Sequence, residues 1–143
     1  MLKRFRNRKG FSLIELLIVI AIIGIIATIA IPILLSARQG AIREKARNSL
    51  RSIVSAEAAF YATNGEYGDL TDLNVPPADP PGQSPYIDDT IAGGVIGQGI
   101  TIAVTGHDNT TFTATATYPD PAGAAGDLLT FTATQTGDIT GPV

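Results

Sequence analysis

The apolar run from Leu13 to Leu35 constrains this chain more than any other feature. Its 23 residues depart from aliphatic or alanine side chains only at Glu15, Gly24, Thr28 and Pro32. At the helical rise they span roughly 35 Å, enough to cross the hydrocarbon layer of a bilayer. Lys3, Arg4, Arg6, Arg8 and Lys9 precede the run, with no acid among them. That asymmetry holds the leading segment in the cytoplasm and sends the remainder outward, as expected of a single-pass membrane protein. A cleavable secretory signal would have a shorter apolar core and a small-residue cleavage site on its far side. The acid at the near end of the run is unusual. A carboxylate in hydrocarbon is costly unless paired, so Glu15 either reaches water at the membrane surface or has a function there.

The junction Lys9-Gly10-Phe11-Ser12-Leu13-Ile14-Glu15 resembles the signature of type IV prepilins, of the type IVa-like kind with a class III signal peptide. Leu16 to Gly24 and Pro32 also fit, and the resemblance covers roughly residues 9–63. It implies that residues 1–10 are a leader, that a prepilin peptidase cuts after Gly10, and that the new amine of Phe11 is methylated. Glycine suits the cleavage position because it lets the backbone come close to a protease without side-chain interference. The resemblance further implies that Glu15, fifth residue of the processed chain, meets the amine of a neighbouring subunit during assembly. Opposite charges in an apolar layer attract strongly, and either one left unpaired is unfavourable. Gly24 and Pro32 bracket a weak stretch of helix: Pro32 has no N–H for the carbonyl of Thr28, and its ring crowds that carbonyl. The consequence is either a simple kink or, as the family implies, a loosening when the helix leaves lipid for a filament core.

Beyond Ser36 the helical period continues with a different composition. Ala41 and Ile42, Ala46, Leu50, Ile53 and Val54, and Tyr61 recur at three- and four-residue steps and define one apolar stripe. Arg43, Arg47 and Arg51 follow another face, and Asn64-Gly65 is a stop signal. One helix over about residues 12–63 is expected, roughly 75 Å long. Residues 11–35 form its transmembrane or filament-core half and residues 36–63 its amphipathic half. The first half has nothing in its own chain to bury against, so it belongs in a membrane or among copies of itself.

Residues 64–98 read as a loop joining helix and sheet, because Pro76-Pro77, Pro80-Pro81 and Pro85 exclude long regular elements. Tyr67, Leu70, Leu73, Tyr86 and Ile87 are expected to pin it to the body. Residues 99–143 alternate with period two. Ile100, Ile102 and Val104 form one series, Phe112, Ala114, Ala116 and Tyr118 a second, and Leu129, Phe131 and Ala133 a third, with threonines between the members of the last two. Turn signals at Gly106–Asn109, Pro119–Asp127 and Thr136–Asp138 make this an antiparallel sheet, with a short last strand at residues 138–140. The fold class is therefore α+β and pilin-like: one long N-terminal helix packed on a C-terminal antiparallel sheet of three to four strands.

Charge is sharply divided. After Arg51 there is no lysine or arginine, while two Glu and nine Asp follow. Such an acidic exterior argues against direct nucleic-acid binding and is either a plain solvated surface or a partner for the basic helix face of a neighbouring copy. Cysteine is absent, so the exported domain has no disulfide, unlike many pilins. His107, the single histidine, sits in a turn, and no cysteine, phosphate loop or His/Cys ligand cluster suggests catalysis or a cofactor. Asp88, Asp89, Asp120, Asp127 and Asp138 are of calcium-ligand type but lack a binding-loop spacing. Asn109-Thr110-Thr111 fits a glycosylation triplet.

Taken with the resemblance, the expectation is a non-enzymatic subunit of a type IV pilus. It waits in the inner membrane with a cytoplasmic N-terminus, then polymerises through the pilus assembly machinery into an extracellular helical homo-oligomer. Adhesion, twitching motility or DNA uptake are the implied roles. The alternative is a type II secretion pseudopilin forming a short periplasmic filament.

Overall fold

In a computed structural model, residues 10–77, 82–120 and 126–142 are described. The basic segment expected to be the leader lies outside the described residues except for Gly10, as do Pro80, Pro81 and residues 121–125 of the second turn. The chain divides into two compact units, residues 1–38 and 39–143.

A single helix, α1 (Leu13–Asn64), contributes to both units. In the first, its large apolar side chains range from 46% exposed at Val19 to 80% at Leu13. The helix is long and apolar enough to cross a membrane, and none of its apolar window is buried within the chain. It continues through Pro32 without interruption. The Thr28 hydroxyl donates to the carbonyl of Gly24 at 2.8 Å, and the Ser36 hydroxyl donates to that of Pro32 at 3.0 Å. These bonds occupy local carbonyls in a stretch where the proline removes a backbone donor.

In the second unit, the remainder of α1 lies on a four-stranded antiparallel sheet ordered β1 (Thr101–Thr105), β2 (Thr113–Pro119), β3 (Leu128–Thr134), β4 (Ile139–Thr140). Register keeps like with like. Ala116 stands opposite Ile102 on one side and Phe131 on the other, while Thr117 stands between Thr101 and Thr130. One face is thus apolar and buried, the other a field of threonines. The core joins Ala46, Leu50, Ile53 and Ala56 of α1 to Ala114, Ala116, Tyr118, Phe131 and Ala133 of the sheet and to Phe112 just before β2. Alanines on both sides allow helix and sheet to approach closely.

The stripe on α1 departs from the expected one at both ends. Ala41 and Tyr61 are exposed, whereas Ile42 and Phe60 face the core half-buried. The reason is the helical period. At about 100° per residue, Phe60 falls about 20° from the direction of Ile53, but Tyr61 falls about 80° away. Tyr61 instead stacks on Tyr67, with centroids 4.7 Å apart, and Tyr67 in turn meets Phe112 at 4.9 Å. Arg47 likewise does more than face solvent. Its guanidinium lies over the Phe131 ring, 5.4 Å from the centroid. Gly65 ends α1 in the left-handed conformation (φ 78°), donating its N–H to the carbonyl of Tyr61 at 2.8 Å.

The connecting segment is more ordered than its prolines suggest. It contains two single-turn helices, α2 (Leu70–Leu73) and α3 (Asp89–Ala92), each started by an aspartate side chain. Asp69 forms a full capping box with Asp72, and Asp88 accepts the N–H groups of Thr90 and Ile91. Leu73 and Ile87 are buried and Tyr67, Leu70 and Tyr86 half-buried, so all five expected anchors pack on the body.

Candidate functional site

The N-terminal junction is open. Gly10 and Phe11 precede the helix in no regular element, Phe11 is 83% exposed, and a side chain at Gly10 would meet nothing within 4 Å. Helix formation starts one residue later: the carbonyl of Ser12 accepts the N–H of Leu16 at 3.2 Å. Glu15 then turns back, and its Oε2 accepts the N–H of Ser12 at 3.0 Å. A helix start leaves several N–H groups without intrahelical partners and gathers partial positive charge there, so a carboxylate three residues in is stabilising. Ser12 was not singled out from the sequence, although the spacing Ser-x-x-Glu before an apolar run is the signature of a capping box.

The same bond places the Glu15 carboxylate against the backbone of the residue following Phe11. Scission of the Gly10–Phe11 bond would create an ammonium at Phe11. Glu15 thus already has a partner within its own chain, the Ser12 N–H. Gly24 and Pro32 lie farther along the same exposed helix and share no contact with this junction beyond the helix itself.

The second unit holds a polar site that sequence reading passed over. Glu57 is fully buried, the sole charged side chain so placed among the described residues. Its Oε2 accepts the Gly68 N–H at 3.1 Å, and its Oε1 has no hydrogen-bond partner. Burial pushes its pKa up to about 7. The Gly68 bond and the charge of His107 pull it down, and Asp72 and Asp69 push it up. The signal was present: Glu57 lies four residues from Ile53, inside the apolar stripe rather than beside it.

The remaining candidates are structural. His107 is exposed in the turn between β1 and β2, beside Asp108, whose carboxylate accepts from the N–H groups of Thr110 and Thr111 and is held below the usual carboxylate range by bonds to Thr110 foremost. Asn109, Thr110 and Thr111 are all exposed in that turn. Asp88 caps α3, Asp89 accepts from Asn74 at 3.1 Å, and the Asp120 N–H donates to the Asp127 carbonyl at 2.8 Å. Among the described residues, no three His, Cys, Asp or Glu side chains gather where a metal ion could be held. The Lys45 ammonium donates to the Ile96 carbonyl at 2.6 Å.

Comparison with known proteins points to the junction rather than to the sheet. The prokaryotic N-terminal methylation motif matches residues 5–31. The type IV major pilin protein PilA of Myxococcus xanthus is 42% identical over 65 residues, which are 46% of this chain and 29% of that protein. The type IV wide pilus major component PilA4 of Thermus thermophilus is 47% identical over 62 residues, 43% of this chain and 47% of that protein. The type II secretion system core protein G of Pectobacterium carotovorum is 33% identical over 61 residues, 43% of this chain and 39% of that protein. Each match spans less than half of the relative. Over the matched part the chain carries an N-terminal methylation motif and is homologous to type IV major pilins, with core protein G a further relative.

Proposed function

We propose that this chain, homologous over its N-terminal half to type IV major pilins, is a structural subunit of a type IV pilus. A prepilin peptidase removes residues 1–10 after Gly10 and methylates the amine of Phe11. Residues 11–35 hold the processed subunit in the inner membrane and afterwards line the filament core. Residues 36–63 connect that core to an outer body formed by the segment 64–98 and the sheet 99–143. Its work is mechanical rather than catalytic.

The observation that carries this reading is the all-round apolar exposure of residues 13–35 directly behind an accessible Gly10–Phe11 bond. A helix with no polar face is satisfied by lipid or by many neighbours, not by one. Each such side chain gains about 1.5–3 kcal/mol on full burial, so exchange of lipid for packed copies is the natural fate of this half. Glu15 then serves as the register group: an incoming subunit gives up the Ser12 N–H bond, or shares it, to pair with the ammonium of a neighbouring Phe11. Gly24 to Pro32 is where the helix loosens as it leaves lipid.

Mass spectrometry of protein from sheared extracellular filaments and from washed membranes tests this. Filament protein beginning at methylated Phe11 is the expected result. Processed protein confined to the envelope would favour a short periplasmic pseudopilus, the reading that the match to core protein G supports. Protein retaining its first ten residues in both fractions would overturn processing altogether.

A further inference from the structure

Three parts of the second unit converge on Glu57: the buried stripe of α1, the segment carrying α2, and the turn between β1 and β2. From the segment come the Gly68 N–H, bonded to Oε2 at 3.1 Å, and the carboxylates of Asp69 and Asp72; from the turn comes His107. The Tyr67 N–H donates to the Asp108 carbonyl at 3.0 Å, so the segment is tied to the turn as well. Packing at the contact is tight. A Cβ at Gly68 would lie 2.9 Å from Asp72 Cβ and 3.1 Å from Phe60 Cε1, so the segment sits close on α1, and Glu57 is 0% exposed, so its carboxyl meets no bulk water while the segment is seated. Oε1 meanwhile has no partner. A charged carboxylate in that position lacks a solvation shell on one oxygen and faces two aspartates, whereas the neutral acid lacks only a single weak bond.

We propose that Glu57 is a proton-operated latch: neutral, it holds the segment Tyr67–Leu73 on α1, and ionised, it gains water by releasing that segment. Release separates Gly68 from Glu57 and relieves the repulsion with Asp69 and Asp72. The latch responds between the ordinary carboxyl value of 4.5 and about 7, to which burial brings the seated carboxyl. This is independent of how the N-terminal half assembles, since every group involved lies within residues 39–143.

Hydrogen exchange of the full chain in detergent micelles provides the test, read as protection of the amides of Gly68 to Leu73 corrected for the intrinsic rate. From about pH 5.5 to about pH 8.5 the wild-type protection of these amides falls tenfold or more, while that of β2 and β3 holds. Glu57→Gln keeps the shape and removes the titration, so its protection is the same at both ends. His107→Gln, an exposed change, moves the wild-type midpoint to higher pH because it removes a group that favours the ionised carboxyl. Undiminished wild-type protection across the range, an equal fall in Glu57→Gln, or an unmoved midpoint in His107→Gln would each overturn the latch.

Discussion

Ile20 and Ile53 are the same residue on the same helix, yet the first is 60% exposed and the second fully buried. Around Ile20 every helical face is aliphatic, and among the described residues nothing covers any of them. Around Ile53 only one face is apolar, and Leu50, Phe112 and Phe131 are members of the same core. The two halves of α1 therefore solve the same burial problem with different partners. The first needs a medium or a crowd, and the second is completed by its own sheet. A stripe specifies a single neighbour, while an all-round apolar surface specifies none in particular.

Breaking the junction has the largest expected effect. Replacing Gly10 with Leu leaves the leader attached and abolishes filaments, measured by intact mass and by the protein content of sheared fractions. Next comes the core that only the second unit has. Phe131→Ala, at a fully buried ring, costs about 3–5 kcal/mol in denaturant unfolding of the full chain in micelles. Ile22→Ala in the first unit changes the same measurement by less than about 0.5 kcal/mol, because no core is emptied. Equal losses from the two changes would show that the halves are not energetically separate.

Glu57→Gln follows. The folded-state pKa, about 7, lies above the ordinary value of 4.5. Stability from this group is therefore full below about pH 4.5, falls as pH rises through about 7, and is flat beyond. Relative to wild type, the glutamine variant gains about 2–3 kcal/mol at pH 8 and little at pH 5, read from unfolding midpoints at the two values. The smallest effect is Asp69→Ala. It removes the cap of α2, costs about 1 kcal/mol, and loosens exchange at Thr71 and Asp72 without touching the sheet.

Much of the molecule was legible because its signals are local and periodic. The alternation from Phe112 to Tyr118 places every second residue inside, and Gly65 ends the helix where a left-handed residue is required. The turns at Gly106 and Thr136 sit between the strands that the alternation defines. At the candidate site, Gly10, Phe11 and Glu15 could be chosen from the sequence by their position at the edge of the apolar run. The Ser12 bond to Glu15 was legible too, in the Ser-x-x-Glu spacing. The helices α2 and α3 were hidden by the prolines around them, since a four-residue element leaves no periodicity to detect and depends on its Asp caps.

The sequence by itself determined the all-round apolar helix, the methylation motif at its start, the α+β order and the inward-facing residues of each strand. Those follow from composition and period, which act over a few residues. Only the tertiary structure decided that Phe60 rather than Tyr61 closes the helix stripe, that Arg47 covers Phe131, and that Glu57 is enclosed. Whether an acid on a helix meets water depends on what the rest of the chain lays over it. Here it is Gly68, more than a helical turn beyond the end of α1, that comes back to cover the carboxyl.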